Sequence, residues 1–539
     1  MLLRLTTVFA AALLALAGCG GDGGESDQGV PSQQVLRVNY GTEPPSLDPG
    51  LATDVTSSNV ISALMDPLVK LGRDLEPVAN LAQEWNVSRD GKVVTFHLRG
   101  DGKWTNGDPV TASDFVYSWK RAISPELAAD YAYQFFGIVG APEYNGCKKS
   151  CERLRDSVGV EAVDDRTLRV ELTSPQPWFV QQTAHTSFLP VHRATVEQFG
   201  NKWTEPANIV TNGPFRLTAW EHNSSITLEK WDGWRAASTV ELERVEGRMI
   251  ADATTAVQAY EAGEIHACVD RMSCVPADEI ERLRDTPDFV RAPGLATSYV
   301  SINLDNITDV DQRRAMALAV DRETIVREVT RSGEQPATSF TPEGMPGFEQ
   351  IRQTFLTPSA DVARAKEYLA RARKVKRTIN LVGNNDAETR AVAVALQSMW
   401  KQIGLDTRIR TMEWAQLLEA IGPPPDTSVD AIMIGWVADY VDDINFLELS
   451  TCKSGNNLSA YCDPEYDRLV EEARRTSDGA ARHALYARLE GMLTGENGAM
   501  PLIPTHWATW VILRKPWIEG WVPNPLHQFD YTQVSIRDR

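Results

Sequence analysis

Apolar and polar residues change period repeatedly along this chain. Val35 to Tyr40 alternates every second residue, which predicts a strand, and leads into the proline-punctuated loop Gly41-Thr-Glu-Pro-Pro-Ser-Leu-Asp-Pro49. Strands are also predicted at Val93 to Leu98, Thr167 to Leu172, Tyr299 to Leu304 and Ile379 to Val382. Gly213 to Trp220 and Ser225 to Lys230 pattern as a hairpin, and Ala431 to Trp436 is an unbroken apolar run suited to a buried strand. Helical spacing covers Ser57 to Leu64, Thr111 to Arg121, Asp311 to Val329, Glu388 to Ile403, Asp467 to Arg474 and Ala480 to Leu493. Strands and helices interleave throughout with no fixed-period repeat, so the expected class is α/β.

The N-terminus follows a different rule. Arg4 precedes an apolar stretch from Leu5 to Ala17, too short for a stop-transfer helix and patterned as a secretion signal. Its ending, Leu16-Ala-Gly-Cys19, resembles a bacterial lipobox, in which Cys19 is lipidated and becomes the mature N-terminus. An ordinary signal peptide with an incidental Cys19 is the alternative. Gly20 to Gln34 is rich in Gly, Asp, Ser and Gln and cannot bury a core, so it reads as a tether. The expectation is a signal over 1–18, a tether over 19–34 and attachment to the membrane's outer face through the lipid on Cys19.

At 539 residues and 42% hydrophobic content, the remainder has material for about three domains. A net charge of −19 argues against nucleic acid or anionic lipid as a partner, since either would need a basic surface. Six cysteines follow Cys19 as three close pairs: Cys147 with Cys151, Cys268 with Cys274, and Cys452 with Cys462. Among the fifteen possible connectivities local disulfides are preferred in an exported chain. A metal site is disfavoured, because no CxxC occurs and His266 has no second histidine nearby. No GxSxG, HExxH, GxxxxGK[ST] or GxGxxG motif is present, and the eight histidines are scattered, with His97 and His266 reading as ordinary surface or core residues. Several of the fifteen tryptophans (Trp104, Trp220, Trp231, Trp234, Trp414, Trp436) flank turns or strand ends. Most should pack cores, although an aromatic-lined ligand cleft would use such residues as well.

Ordered segments carry a resemblance. The loop at 41–49 is followed by Asp108-Pro-Val-Thr-Ala-Ser-Asp-Phe-Val-Tyr-Ser-Trp-Lys-Arg121, Asn212-Gly-Pro-Phe215 and Leu228-Glu-Lys230. Then come Arg313-Arg-Ala-Met-Ala-Leu-Ala-Val-Asp-Arg-Glu323, Gly435-Trp-Val-Ala-Asp-Tyr440 and Asp463-Pro-Glu-Tyr-Asp467. From Val35 onward the chain resembles the family 5 extracellular solute-binding proteins, the oligopeptide and dipeptide binders of bacterial ABC importers. The resemblance implies a non-enzymatic monomer without cofactor, serving the permease subunits of an importer. The implied fold is the type II, or cluster C, periplasmic-binding-protein architecture, with three lobes and the ligand buried between two of them. Lobe I would comprise 35–75, 205–295 and 505–539; lobe II would be an insertion over 76–204; lobe III would span 296–504. Crossings near 296 and 505 would form the hinge.

The same resemblance assigns roles. Asp439 would meet a peptide's α-ammonium, Gly435 and Val437 would offer backbone hydrogen bonds beside Trp436, Val55 would be a second backbone-pairing position, and Trp414 would line a pocket. One departure bears on the ligand. The arginines that meet ligand carboxylates in oligopeptide binders have no counterpart in Ile421 to Asp430 or at Met433. Readings within the same fold, a metal chelate, haem or oligosaccharide binder or a peptide sensor without transport, therefore stay open.

Overall fold

The computed structural model describes residues 33–269, 275–422, 427–522 and 524–537. The signal, nearly all of the tether with Cys19, and Cys274 lie outside those residues. Three sheets dominate. A five-stranded sheet runs in the order Ala267–Cys268, Val35–Asn39, Arg244–Arg248, Ser225–Lys230, Phe215–Glu221, the last two forming the expected hairpin. A four-stranded antiparallel sheet consists of Ala82–Val87, Val93–Leu98, Thr167–Glu171 and Val160–Asp164. A six-stranded sheet runs Gln335–Pro336, Leu502–Leu513, Phe289–Ile302, Ala431–Val437, Thr378–Asn384, Asp406–Met412.

Each sheet buries an apolar face in a core of its own. Leu36, Val38, Phe215 and Leu228 lie in the first, Phe96, Trp119, Leu168 and Phe188 in the second, and Val300, Leu381, Leu396 and Trp400 in the third. Two long strands tie the first body to the third. Phe289–Ile302 and Leu502–Leu513 pair antiparallel from Phe289 opposite Leu513 to Ser301 opposite Leu502, with an irregularity between Pro293 and Thr297. One end reaches the five-stranded sheet through a bridge between Ala267 and Arg514. The crossings near 296 and 505 are thus continuous strand, and the expected strand at Tyr299 to Leu304 is only the end of a longer one. Gly294 to Ala296 falls in the irregularity, where strands bend and twist most readily.

Most predicted helices form with the caps their sequences offer. Ala112–Ala122 begins in a capping box, Asp114 accepting the Thr111 N–H at 2.7 Å. The helix expected over Asp311 to Val329 is broken instead. Val310–Leu318 stops, and Asp321 caps a new turn by accepting the Thr324 N–H at 2.9 Å. Arg322 accompanies the break: its buried guanidinium donates to the carbonyls of Ala317 and Val320 at the helix end and to that of Pro504 in the neighbouring strand. Disulfides join Cys147 to Cys151 and Cys452 to Cys462 as local pairing predicts. Cys268 is buried, and its expected partner Cys274 lies outside the described residues. Trp104 and Trp234 are core residues, while Trp220 and Trp231 pack against the first core. No helix among the described residues is long and apolar enough to cross a membrane.

Candidate functional site

All three bodies contribute walls to one cavity of about 1260 Å³, its open mouth included. Helix Val55–Leu64 gives the first wall. Asp54 caps it by accepting the Ser57 N–H at 3.0 Å, and Val55, Ser58, Asn59 and Ser62 share the face turned to the cavity. Strand Ala431–Val437 and its extension to Asp439 lie opposite. Helix Trp414–Ile421 adds Trp414, Leu418 and Ile421, one side of a helix again, and the second body adds Asp130, Tyr131 and His185. Gly455, Asn456 and Leu458 also border the space, and the Cys452–Cys462 bridge closes the loop that holds them. Val55, Trp414, Gly435, Trp436, Val437 and Asp439 all border this cavity.

Strand 431–437 offers an open backbone edge there. On one side it pairs with Phe289–Ile302 over its whole length; on the other, Thr378–Asn384 accompanies it only to Ile432 among the described residues. The Ala438 N–H bonds the Leu295 carbonyl at 2.8 Å, which sets the phase of the ladder. Thr297 then exchanges bonds with Trp436, and Tyr299 with Ile434, because bonded and non-bonded pairs alternate in an antiparallel ladder. It follows that the N–H and C=O groups of Gly435 and Val437, beyond the last pairing with Thr378–Asn384, point to the open edge. A Cβ on Gly435 would meet nothing closer than the Thr297 carbonyl at 3.6 Å, so the chain's own packing does not demand a glycine there.

Asp439 ends this edge in a buried cluster. Its Oδ1 accepts the Tyr131 hydroxyl at 3.2 Å and His185 Nε2 at 3.1 Å; its Oδ2 accepts Gln134 Nε2 at 2.7 Å and Asn445 Nδ2 at 2.9 Å. The Ser187 N–H donates to His185 Nδ1 at 3.3 Å, which leaves Nε2 as the nitrogen that carries the proton toward Asp439. Burial, then the Asp439 charge, push the Tyr131 phenol well above its ordinary pKa, so it remains an O–H donor. Asn445 also fixes the approach, its Oδ1 accepting both the Asp439 N–H and Trp436 Nε1 at 3.0 Å. No Lys or Arg is within ion-pair distance of Asp439 among the described residues. The carboxylate is therefore held by neutral donors, and no side-chain cation among the described residues competes for it with a cation in the cavity.

Tyr131, Gln134, His185 and Asn445 carry no motif and were not legible in the sequence, since only tertiary contact brings them to Asp439. Trp510, another tryptophan bordering the cavity, was also missed. Two further spaces adjoin, one of about 1280 Å³ and one of about 440 Å³. One shares Trp414 with the main cavity and is bordered by Asp278, Glu328, Asp386 and Glu388 with Arg331 as its only Lys or Arg among the described residues. Arg331 borders that adjoining space and not the main cavity; the segment 423–426, expected to lack carboxylate-binding arginines, is not among the described residues. The second is a narrow pocket that shares Ser298, Ile434 and Gly435 with the main cavity.

Known proteins fit this geometry. A family model described as the bacterial extracellular solute-binding proteins, family 5 Middle, matches residues 76–457. The oligopeptide-binding protein OppA of Bacillus subtilis is 34% identical over 518 residues, 92% of this chain and 93% of that protein. Haemophilus influenzae OppA in complex with the peptide RPPGFSPFR superposes with a TM-score of 0.88 at 28% identity, covering 95% of this chain and 100% of that one. The unliganded open form of the murein tripeptide binding protein MppA, 31% identical over 94% of this chain and 98% of its own, reaches only 0.65. Matching the peptide-bound shape better than the open one fits a structure whose second and third bodies touch through Asp439.

Proposed function

The chain belongs to the family 5 bacterial extracellular solute-binding proteins, a family of solute binders and not enzymes, and we propose that it captures oligopeptides in its interlobe cavity for an ABC importer. Its α/β fold is the type II periplasmic-binding-protein fold of those relatives. The observation that carries the reading is the open strand edge at Gly435 and Val437, ending at the buried Asp439 carboxylate. A peptide laid along that edge gains backbone hydrogen bonds whatever its side chains, and its α-ammonium reaches the one buried charge at the edge's end. Val55, at the start of the facing helix, is placed to approach the peptide from the other side, and Trp414 and Trp436 to cover it.

In this reading the lobes follow the three sheets: 35–75, 205–295 and 505–539 in lobe I, 76–204 in lobe II and 296–504 in lobe III. The strand irregularity at 293–297 is the hinge that lets lobe III close on the other two. Export and lipidation at Cys19 would hold the receptor beside its permease. Native mass spectrometry of the protein truncated to residue 33 and purified from rich medium tests the capture step. Co-purifying peptides of mixed sequence are expected; a single non-peptide mass would overturn it. Labelled palmitate incorporated by the full chain and lost in Cys19→Ser checks the anchor.

A further inference from the structure

The seam between the second and third bodies runs well beyond Asp439. Tyr131, Tyr133 and Trp178 of the second body are 6%, 4% and 6% exposed, yet they pack in a cluster with Trp436, Tyr440 and Leu447 of the third and not in their own body's core. Tyr131 stacks on Trp436 with ring centres 5.9 Å apart. The Arg482 guanidinium, on helix Gly479–Thr494, lies over the Trp178 ring, 5.4 Å from its centre. Separating the two bodies would return these aromatic faces to water, so their burial favours contact.

Polar groups set the register of the seam. Gln181, on the short helix Phe179–Gln182, uses both ends of its amide. Its Nε2 donates to the Leu75 carbonyl at 2.6 Å, where the first body runs into the second, and its Oε1 accepts the Val441 N–H at 3.0 Å, two residues past Asp439. Gly455 brings the loop bridged by Cys452–Cys462 against the second body: a Cβ there would overlap the Asp130 carbonyl oxygen and lie 2.8 Å from the Asp130 Cα. Those backbone atoms cannot swing aside, so only glycine allows the approach. Beside it, Asn456 Nδ2 donates to the Tyr133 hydroxyl at 3.4 Å. Trp178, Gln181, Val441 and Arg482 do not border the peptide cavity, so the chain makes these contacts with itself.

We propose that Trp178, Gln181 and Gly455 form a latch through which the inserted lobe II holds lobe III shut, before a peptide binds as well as after. The latch deepens the peptide-capture reading and rests on its hinge at 293–297. Only the shut form surrounds a peptide, so the apparent affinity scales with the fraction of the chain that is shut. Opening the latch therefore lowers affinity by one factor for all peptides, whereas loss of the Asp439 charge penalises those with a free amino terminus. Gln181 acts through closure and is a positioning residue.

The test is small-angle X-ray scattering of the residue 33 truncation, without peptide and then with a saturating tripeptide, for the natural chain, Gln181→Leu, Gly455→Ala and the two changes together. Leucine keeps the bulk of glutamine and drops both hydrogen bonds; alanine at 455 wedges the loop off Asp130. The natural chain should keep its radius of gyration on saturation. Without peptide the radius should grow from the natural chain to the single variants to the double, with circular dichroism confirming the fold, and saturation should bring all four to one value. In isothermal titration the double variant should bind about tenfold more weakly, by the same factor for amino-free and acetylated tripeptides. Variants as compact as the natural chain without peptide overturn the latch, as does a loss of affinity confined to the amino-free tripeptide. If the variants do not fold, the natural chain still decides: a radius that holds on saturation supports the latch and one that contracts overturns it. If no peptide binds any form, peptide capture is overturned, while the peptide-free scattering still decides the latch.

Discussion

Replacing Asp439 by asparagine changes one oxygen to an NH₂ and nothing in shape. In the empty protein the carboxylate accepts from Tyr131, His185, Gln134 and Asn445. The amide can accept through one oxygen only, so donors at the other position face its N–H groups. Tyr131 can turn its hydroxyl to accept, but a side-chain amide nitrogen such as Gln134 Nε2 cannot. Leaving one buried donor unsatisfied costs about 1–3 kcal/mol of stability. The effect on binding is larger, because the ligand's ammonium loses its counter-charge. Breaking such a buried pair costs roughly 3–5 kcal/mol, a loss of affinity between about a hundredfold and a few thousandfold. Isothermal titration with one tripeptide, amino terminus free or acetylated, separates this from general damage. The natural chain should discriminate against the acetylated peptide by that factor, and Asp439→Asn should scarcely distinguish the two. An asparagine variant that discriminates as strongly as the natural chain refutes the charge-pair reasoning.

Other outcomes follow from the same structure. Gly435→Ala should fold normally, since its Cβ meets nothing under 3.6 Å, yet bind peptide about tenfold or more weakly because the methyl occupies the ligand's path; melting and titration together check this. Replacing both Cys452 and Cys462 by serine should cost about 3 kcal/mol of stability and weaken binding, because Gly455, Asn456 and Leu458 inside that loop border the cavity. The same change at Cys147 and Cys151, a bridge away from the site, should cost about 2 kcal/mol and leave affinity unchanged, as denaturation and titration would show. Burial, then the neighbouring Asp442 charge, raise Asp443 to about 7. Between an unfolded value of about 3.9 and that folded value the native state holds a proton the unfolded chain has lost, so stability falls as pH rises through this window. Asp443→Asn should remove that fall, gaining on the natural chain by up to about 4 kcal/mol from pH 4 to pH 8 in denaturant titrations; parallel pH profiles would contradict it.

Local patterns in the sequence determined a good deal. Alternation set strand 93–98, capping set the helix beginning at Ala112, and close spacing set the bridges at Cys147–Cys151 and Cys452–Cys462. These depend on neighbours along the chain, where period and side-chain chemistry act directly. The Gly-Trp-x-Ala-Asp segment likewise marked Asp439 by resemblance. Long-range contact decided the remainder. The helix whose apolar spacing ran on is broken at Arg322, whose guanidinium reaches the Pro504 carbonyl from a strand that local periodicity does not relate to it. Tyr131, Gln134 and His185 met Asp439 only when an inserted body closed on the six-stranded sheet.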